Sequence, residues 1–251
     1  LPDNTSPKDV ILYLIGKIGA QGAAFKVLEY HGSTLKNMST SGRLTICNMS
    51  VVAGATAGIV SPDEETLRYL QNEAGVLDPV EPVLPDEGAK YDSTLEIDAT
   101  TLTPYVACPH TVDNVKPVAQ VAGIHVDQIV IGSCTNGRLD DLADAAQIVR
   151  GKKIAAGTRV LVFPASTRVY QQALAAGFIS DLMNAGAVVM NPGCGCCLGI
   201  HQGALADDEV ALTTTNRNFK GRMGNPNAFI YLCSAKTAAA SALTGVITVP
   251  E

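Results

Sequence analysis

Residues 128–163 read QIVIGSCTNGRLDDLADAAQIVRGKKIAAGTRVLVF, and their pattern decides the fold. Gln128–Ile131 has the length and β-branching of a strand. A glycine-flanked polar turn follows. From Leu139 to Arg150 the apolar residues recur at helical spacing, and Gly151 closes the run. Val160–Phe163 is a second short β-branched run. Strand, helix, strand with short connections predicts a βαβ unit, and therefore a parallel pair of strands.

The alternation continues downstream. A helix is predicted over Thr167–Ala176, closed by Gly177. Strands are predicted over Ala187–Met190, Val210–Thr213 and Phe229–Leu232, and a helix over Ala235–Leu243. The fold class is thus α/β with a mostly parallel sheet. Ligands of such sheets bind at the loops leaving the strand carboxyl ends. Cys134, Cys194 and Asn216 each follow a predicted strand, so the fold should bring them to one edge.

Upstream, Ser6 can cap a helix with Pro7 at its first position and Asp9 three residues on. Val10, Leu14 and Ile18 carry its apolar stripe, and Gly19 to Gly22 end it. A strand is predicted over Phe25–Tyr30 and a helix over Gly42–Ala53. Ser61-Pro62-Asp63-Glu64 reads as a capping box opening a helix through Leu70. From Gly75 to Thr94, Pro79, Pro82, Pro85 and Glu87 mark a surface loop or linker. It divides an expected α/β domain over 1–100 from a second over 101–251. The start, Leu1-Pro2-Asp3-Asn4, lacks an initiator Met and reads as a piece of something longer, with removal of a short tag as the alternative.

Composition narrows the class. The chain has 251 residues, 47% of them hydrophobic and 17% charged, which excludes a disordered chain. Its net charge of −6 argues against nucleic acid as a partner, since that needs a basic face. The longest weakly polar run, Cys47 to Val60, is too short to span a bilayer. No charged leader opens the chain, so a cytoplasmic protein without a membrane partner is expected. Seven cysteines are an odd number, and three crowd into positions 194, 196 and 197, a poor disulfide framework. A reducing compartment with metal or cluster ligation explains them better.

Three stretches carry chemistry. Gly193-Cys194-Gly195-Cys196-Cys197-Leu198-Gly199 holds a C-x-x-C pair whose thiolates can reach one metal centre from a tight loop. Gly132-Ser133-Cys134-Thr135-Asn136 offers a third thiolate. Three ligands leave one position open, as Lewis-acid catalysis requires. A structural zinc site with His201 as fourth ligand, or inert buried thiols, are the alternatives. Asn216-Arg217-Asn218-Phe219-Lys220-Gly221-Arg222 can present two guanidinium forks to an anion. Its plainer reading is an exposed basic turn with salt-bridge partners.

Together and in this order, these motifs resemble the aconitase family, and Thr45-Ile46-Cys47-Asn48-Met49 is similar to a fourth motif of it. Tyr105-Val106-Ala107-Cys108-Pro109-His110 and Phe229-Ile230-Tyr231-Leu232 look like its 3-isopropylmalate dehydratase and homoaconitase branch. The resemblance runs from about Pro7 to Thr248. It implies aconitase-like α/β/α domains and a [4Fe–4S] cluster on Cys134, Cys194 and Cys197. It further implies Arg217 and Arg222 as substrate carboxylate ligands, with Asn216 and Asn48 hydrogen-bonding substrate or cluster. The implied activity is that of a hydro-lyase large subunit, isomerising a hydroxy di- or tricarboxylate by dehydration and rehydration. The foremost expectation is 3-isopropylmalate dehydratase of leucine biosynthesis. A homoaconitase or related dehydratase, or a non-catalytic or zinc-stabilised member, is the alternative.

Departures from the family pattern matter as much. The family usually has Glu four residues after the Asn matching Asn48, whereas this chain has Val52. The family's amino-terminal domain with its active-site histidines has no counterpart here. Nor does the swivel domain, which in this branch is a separate small subunit carrying the base. The catalytic base is therefore unassigned and expected on that partner, and the isolated chain is expected to be inactive. Cys196 reads as a bystander. His110 is placed by the resemblance near a domain junction, His201 is expected to bond locally, and His31 and His125 to lie at the surface or at strand ends. Asp140-Asp141 should favour a helix dipole rather than act as acid and base.

Overall fold

A computed structural model describes all residues, Leu1–Glu251. Its first helix, α1 (Pro7–Ile18), forms as its cap signals dictate: Ser6 Oγ accepts from the Lys8 amide, and Asp9 Oδ2 accepts from the Ser6 amide. Next come β1 (Val27–Tyr30), the short α2 (Ser33–Lys36), α3 (Thr40–Ser50), β2 (Ala57–Val60) and α4 (Glu64–Asn72). A run without helix or strand, broken by one 3₁₀ turn, leads to β3 (Tyr105–Ala107) and β4 (Val115–Pro117). Then β5 (Gln128–Gly132), the single turn α5 (Ser133–Asn136), α6 (Leu139–Val149) and β6 (Arg159–Phe163) build the predicted βαβ unit. The chain ends with α7 (Thr167–Ala175), α8 (Phe178–Ala185), β7 (Val188–Val189), β8 (Val210–Thr213), β9 (Phe229–Leu232) and α9 (Ala235–Thr244).

The strands form a parallel pair, β1–β2, and a seven-stranded sheet ordered β4-β3-β9-β8-β5-β6-β7. From β9 to β7 every pairing is parallel, and β3 alone runs against the rest, pairing antiparallel with both β9 and β4. The α/β class with mostly parallel sheets is what the alternation predicted.

The sheet is covered on both faces, as parallel strands require. Ile129 and Ile131 of β5 enter a core with Leu142, Ala146, Ile179, Leu182 and Ala239 from α6, α8 and α9. Val130, on the opposite side of the same strand, enters a core with Ile11, Leu12, Ile15, Ile46 and Met49 from α1 and α3. The second core therefore draws on both the 1–100 and the 101–251 spans.

Local differences from the expectations have identifiable causes. The cap of α4 is Asp63, whose Oδ1 accepts from the Thr66 amide at 3.2 Å, so the helix opens at Glu64 rather than after Ser61. Asp63 is held there by the buried Arg43, whose Nη1 and Nη2 donate to its two oxygens at 2.6 and 2.8 Å. Phe25 lies fully exposed before β1, at φ 61°. Gly177 does close α7, yet α8 starts at once beyond it, burying Ile179, Leu182 and Ala185.

Candidate functional site

The site is built where β5, β6, β7 and β8 end. Gly132 closes β5 at φ 151°, and a Cβ there would stand 2.3 Å from the Phe163 carbonyl oxygen. Ser133 follows in a left-handed conformation, φ 69°, turning Cys134 outward so that it is exposed. On the other side of the same phenylalanine, a Cβ on Gly195 would meet the Phe163 ring at 2.2 Å. Buried Phe163, last residue of β6, is thus wedged between the Cys134 turn and the C-x-x-C loop. Nothing in the motif pattern singled it out.

The C-x-x-C loop winds into a 3₁₀ turn over Gly195–Leu198, and the Cys197 amide donates to the Cys194 carbonyl at 3.0 Å. This winding sends neighbouring thiols to different places. Cys194 is exposed, while Cys196 is fully buried among core residues, where burial pushes its thiol up to about 12. Cys197 is nearly buried but faces the polar side: Arg222 Nη2 donates to its Sγ at 3.3 Å, and its thiol lies 3.9 Å from Asn216 Oδ1. The Asn216 side-chain amide stands 3.4 Å from Asn48 Oδ1, which also accepts from Thr135 Oγ1 at 2.9 Å. Thr135 is the neighbour of Cys134. One chain of contacts therefore joins Cys197, Arg222, Asn216, Asn48 and the Cys134 turn.

Arg222 and Arg217 take part in none of the chain's ion pairs. The reading as a salt-bridged basic turn finds no support in that. Arg222 stacks over Phe219 at 5.4 Å, and its buried Nε has no hydrogen-bond partner. Such an unsatisfied donor costs free energy unless a ligand accepts from it.

The donor set consists of thiols, the ligand type that iron–sulfur clusters take. No three His, Cys, Asp or Glu side chains converge as ligands of one metal ion. Zinc held by these thiols and His201 would need that convergence, and His201 is exposed. A [4Fe–4S] group takes each thiolate on a different iron, and the free thiols of the Cys134 turn and the C-x-x-C loop are the donor type it needs.

Behind the turn lies a partly buried titratable group, Asp141. Asn136 Nδ2 donates to Asp141 Oδ1 at 2.9 Å, and burial pushes the Asp141 carboxyl up to about 7. Asp141 also accepts from the Arg138 amide at the start of α6, where an acidic side chain was expected to favour the helix dipole, while exposed Asp140 accepts from Ser39 Oγ. The other histidines stand apart from the thiols. His110 lies 5.6 Å from the Phe229 ring, its Nδ1 unpartnered, in a shallow pocket with Asp207, Asp208 and Lys220. His31 and His125 face Glu29 and Asp127, both at 3.2 Å, with exposed side chains.

Val52 is 9% exposed and packs in the core shared by α1 and α3, one helical turn beyond Asn48. It supplies no acidic group beside Asn48.

Fold and site together define an α/β protein with an unpaired arginine set against free thiols at the carboxyl edge of a parallel sheet. The chain belongs to the aconitase family, described as aconitate hydratase, whose model matches residues 1–123 and 114–245. It is 52% identical over its whole length to the 3-isopropylmalate dehydratase large subunit 2 of Archaeoglobus fulgidus, covering 60% of that protein. It is 51% identical over 97% of its length to a probable methanogen homoaconitase large subunit of Methanosarcina mazei, covering 61% of it. The 3-isopropylmalate dehydratase large subunit of Elusimicrobium minutum is 52% identical over 97% of this chain and 58% of its own length. The chain thus spans about 60% of the length of the curated relatives it matches.

Proposed function

We propose that this chain carries the cluster-holding and carboxylate-binding part of a hydro-lyase large subunit, acting as a 3-isopropylmalate dehydratase. The observation that carries this reading is the Arg222–Cys197 contact at 3.3 Å, which sets an anion-binding side chain directly against a thiol. Cys134, Cys194 and Cys197 hold a [4Fe–4S] cluster. Bound there, it supplies Lewis-acid stabilisation for a departing hydroxyl, which is otherwise a poor leaving group.

The chain's own residues position the substrate. Arg217 and Arg222 clamp its carboxylates through bidentate bonds that an ammonium cannot copy. Asn216 and Asn48, already hydrogen-bonded to the thiol edge, orient it. Proton transfer needs a positioned base within hydrogen-bond reach of the substrate carbon. That base is assigned to the small-subunit partner, which this reading also makes responsible for the choice between isopropylmalate and homocitrate. Seven free thiols suit a reducing, cytoplasmic setting.

The test is anaerobic reconstitution with iron and sulfide. A brown protein with broad visible absorption is expected, and turnover of isopropylmalate only in the complete assembly with its small subunit. A colourless chain with stoichiometric zinc overturns the reading. Turnover by the isolated chain would place the base within these residues.

A further inference from the structure

Lys8 lies in the first turn of α1, remote in sequence from every motif above, and its side chain is fully buried. Its Nζ donates to Asn136 Oδ1 at 3.1 Å, to the Thr214 carbonyl at 2.7 Å and to the Thr215 carbonyl at 2.8 Å. Those acceptors use all three ammonium protons. Asn136 stands two residues beyond Cys134, and Thr215 immediately precedes Asn216. One cation therefore ties together the two turns that carry a thiol and the anion-binding segment.

The surroundings show what this cation does. Strands β5 and β8 are parallel neighbours, so both end at the same edge of the sheet. Thr214 adds a second tie, its Oγ1 accepting from the Gly132 amide at 2.8 Å. Asn136 passes the contact onward through its amide to Asp141. Burial drives the Lys8 pKa down to about 8, and the carboxyl groups of Asp141 and Asp9 pull the other way. Burying an ammonium for stability alone is a poor choice, because an apolar side chain of similar volume avoids the desolvation cost. A buried, fully satisfied polar network instead defines one arrangement of the groups it joins.

We propose that Lys8 is a positioning residue that sets the spacing between the Cys134 turn and the Asn216–Arg217 turn, so that thiols and anion clamp face one ligand. The proposal rests on the functional reading above for what that ligand is, but not for the spacing itself.

The experiment compares the whole chain with Lys8→Met, Lys8→Gln and Ile11→Ala. Ile11→Ala removes buried packing from the same helix without removing a hydrogen bond to either turn. In cluster-free protein, amide hydrogen exchange of residues 132–138 and 213–218 is read alongside thermal melting. Lys8→Met is expected to speed exchange in both segments at least tenfold beyond what its melting shift accounts for. Lys8→Gln should do so less, and Ile11→Ala should show only the general change. In reconstituted protein, Lys8→Met should also move the cluster's midpoint potential negative, as loss of a nearby cation requires, while Ile11→Ala leaves it unchanged. Exchange that merely follows global stability in all variants overturns the proposal. So does failure of both Lys8 variants to fold, since that is the mark of a purely structural residue. Loosened turns in Lys8→Met, together with a wild-type chain that binds no cluster, would support the positioning and refute the cluster.

Discussion

Arg222 Nη2 donates to Cys197 Sγ at 3.3 Å although the two residues lie on different loops, one before β8 and one after it. The contact makes the anion-binding segment and the C-x-x-C loop a single unit. A substitution in either is therefore felt by the other.

Replacing Cys197 with Ser should abolish cluster uptake on reconstitution, as should replacing Cys134 or Cys194. Cys196→Ser should leave uptake nearly intact and lower the melting temperature instead, because its thiol is buried in the core. Iron and sulfide analysis with visible absorption reads the first effect, and a thermal scan the second. Loss of the cluster in Cys196→Ser with retention in Cys197→Ser would reverse the ligand assignment.

Gly195→Ala places a Cβ 2.2 Å from the Phe163 ring at a residue whose φ is +53°. Overpacking costs about 1–3 kcal/mol, so the loop should shift rather than the whole fold unravel. A chain with a near-normal circular dichroism spectrum but sharply reduced iron content is the expected result. Full iron content would show that the wedge does not set the loop.

In a complete assembly, Arg217→Lys should weaken catalysis by on the order of 2–4 kcal/mol in transition-state stabilisation, the range for disrupting a buried charge pair. Kinetics with isopropylmalate read this as a fall in kcat/KM. Unchanged kinetics would return this segment to the status of a basic turn.

Burial raises Asp141 to about 7 and Asp9 to about 6. In both, the folded state holds its proton to higher pH than the unfolded one. Their contribution to stability is therefore fully present below about pH 4 and is lost as pH rises towards 7. Asp141→Asn should flatten the upper part of that decline in a series of melting temperatures. An identical slope in the variant would mean that Asp141 titrates normally.

Much of this molecule was legible in the order of its residues. The βαβ unit of 128–163 was readable because strand and helix periods are local, and glycines mark the ends. Ser6, Pro7 and Asp9 announced α1 because a cap is satisfied within four residues. Cys134, Cys194 and Asn216 pointed to one edge because each follows a predicted strand and parallel strands put their carboxyl ends together. Even α8 had a signal, since Ile179, Leu182 and Ala185 keep helical spacing after Gly177.

What tertiary structure alone decided depends on contacts between distant parts. Lys8 looks like any first-turn surface lysine until α1 lies over the ends of β5 and β8 and closes around it. Phe163 looks like an ordinary strand residue until the glycines at 132 and 195 press on it from two sides. The adjacent thiols of Cys196 and Cys197 carry no sequence mark telling which enters the core. The 3₁₀ winding of their loop against Phe163 separates them, turning one into apolar packing and the other towards Arg222. Burial and long-range hydrogen bonding are properties of the folded chain as a whole, and no local window of sequence contains them.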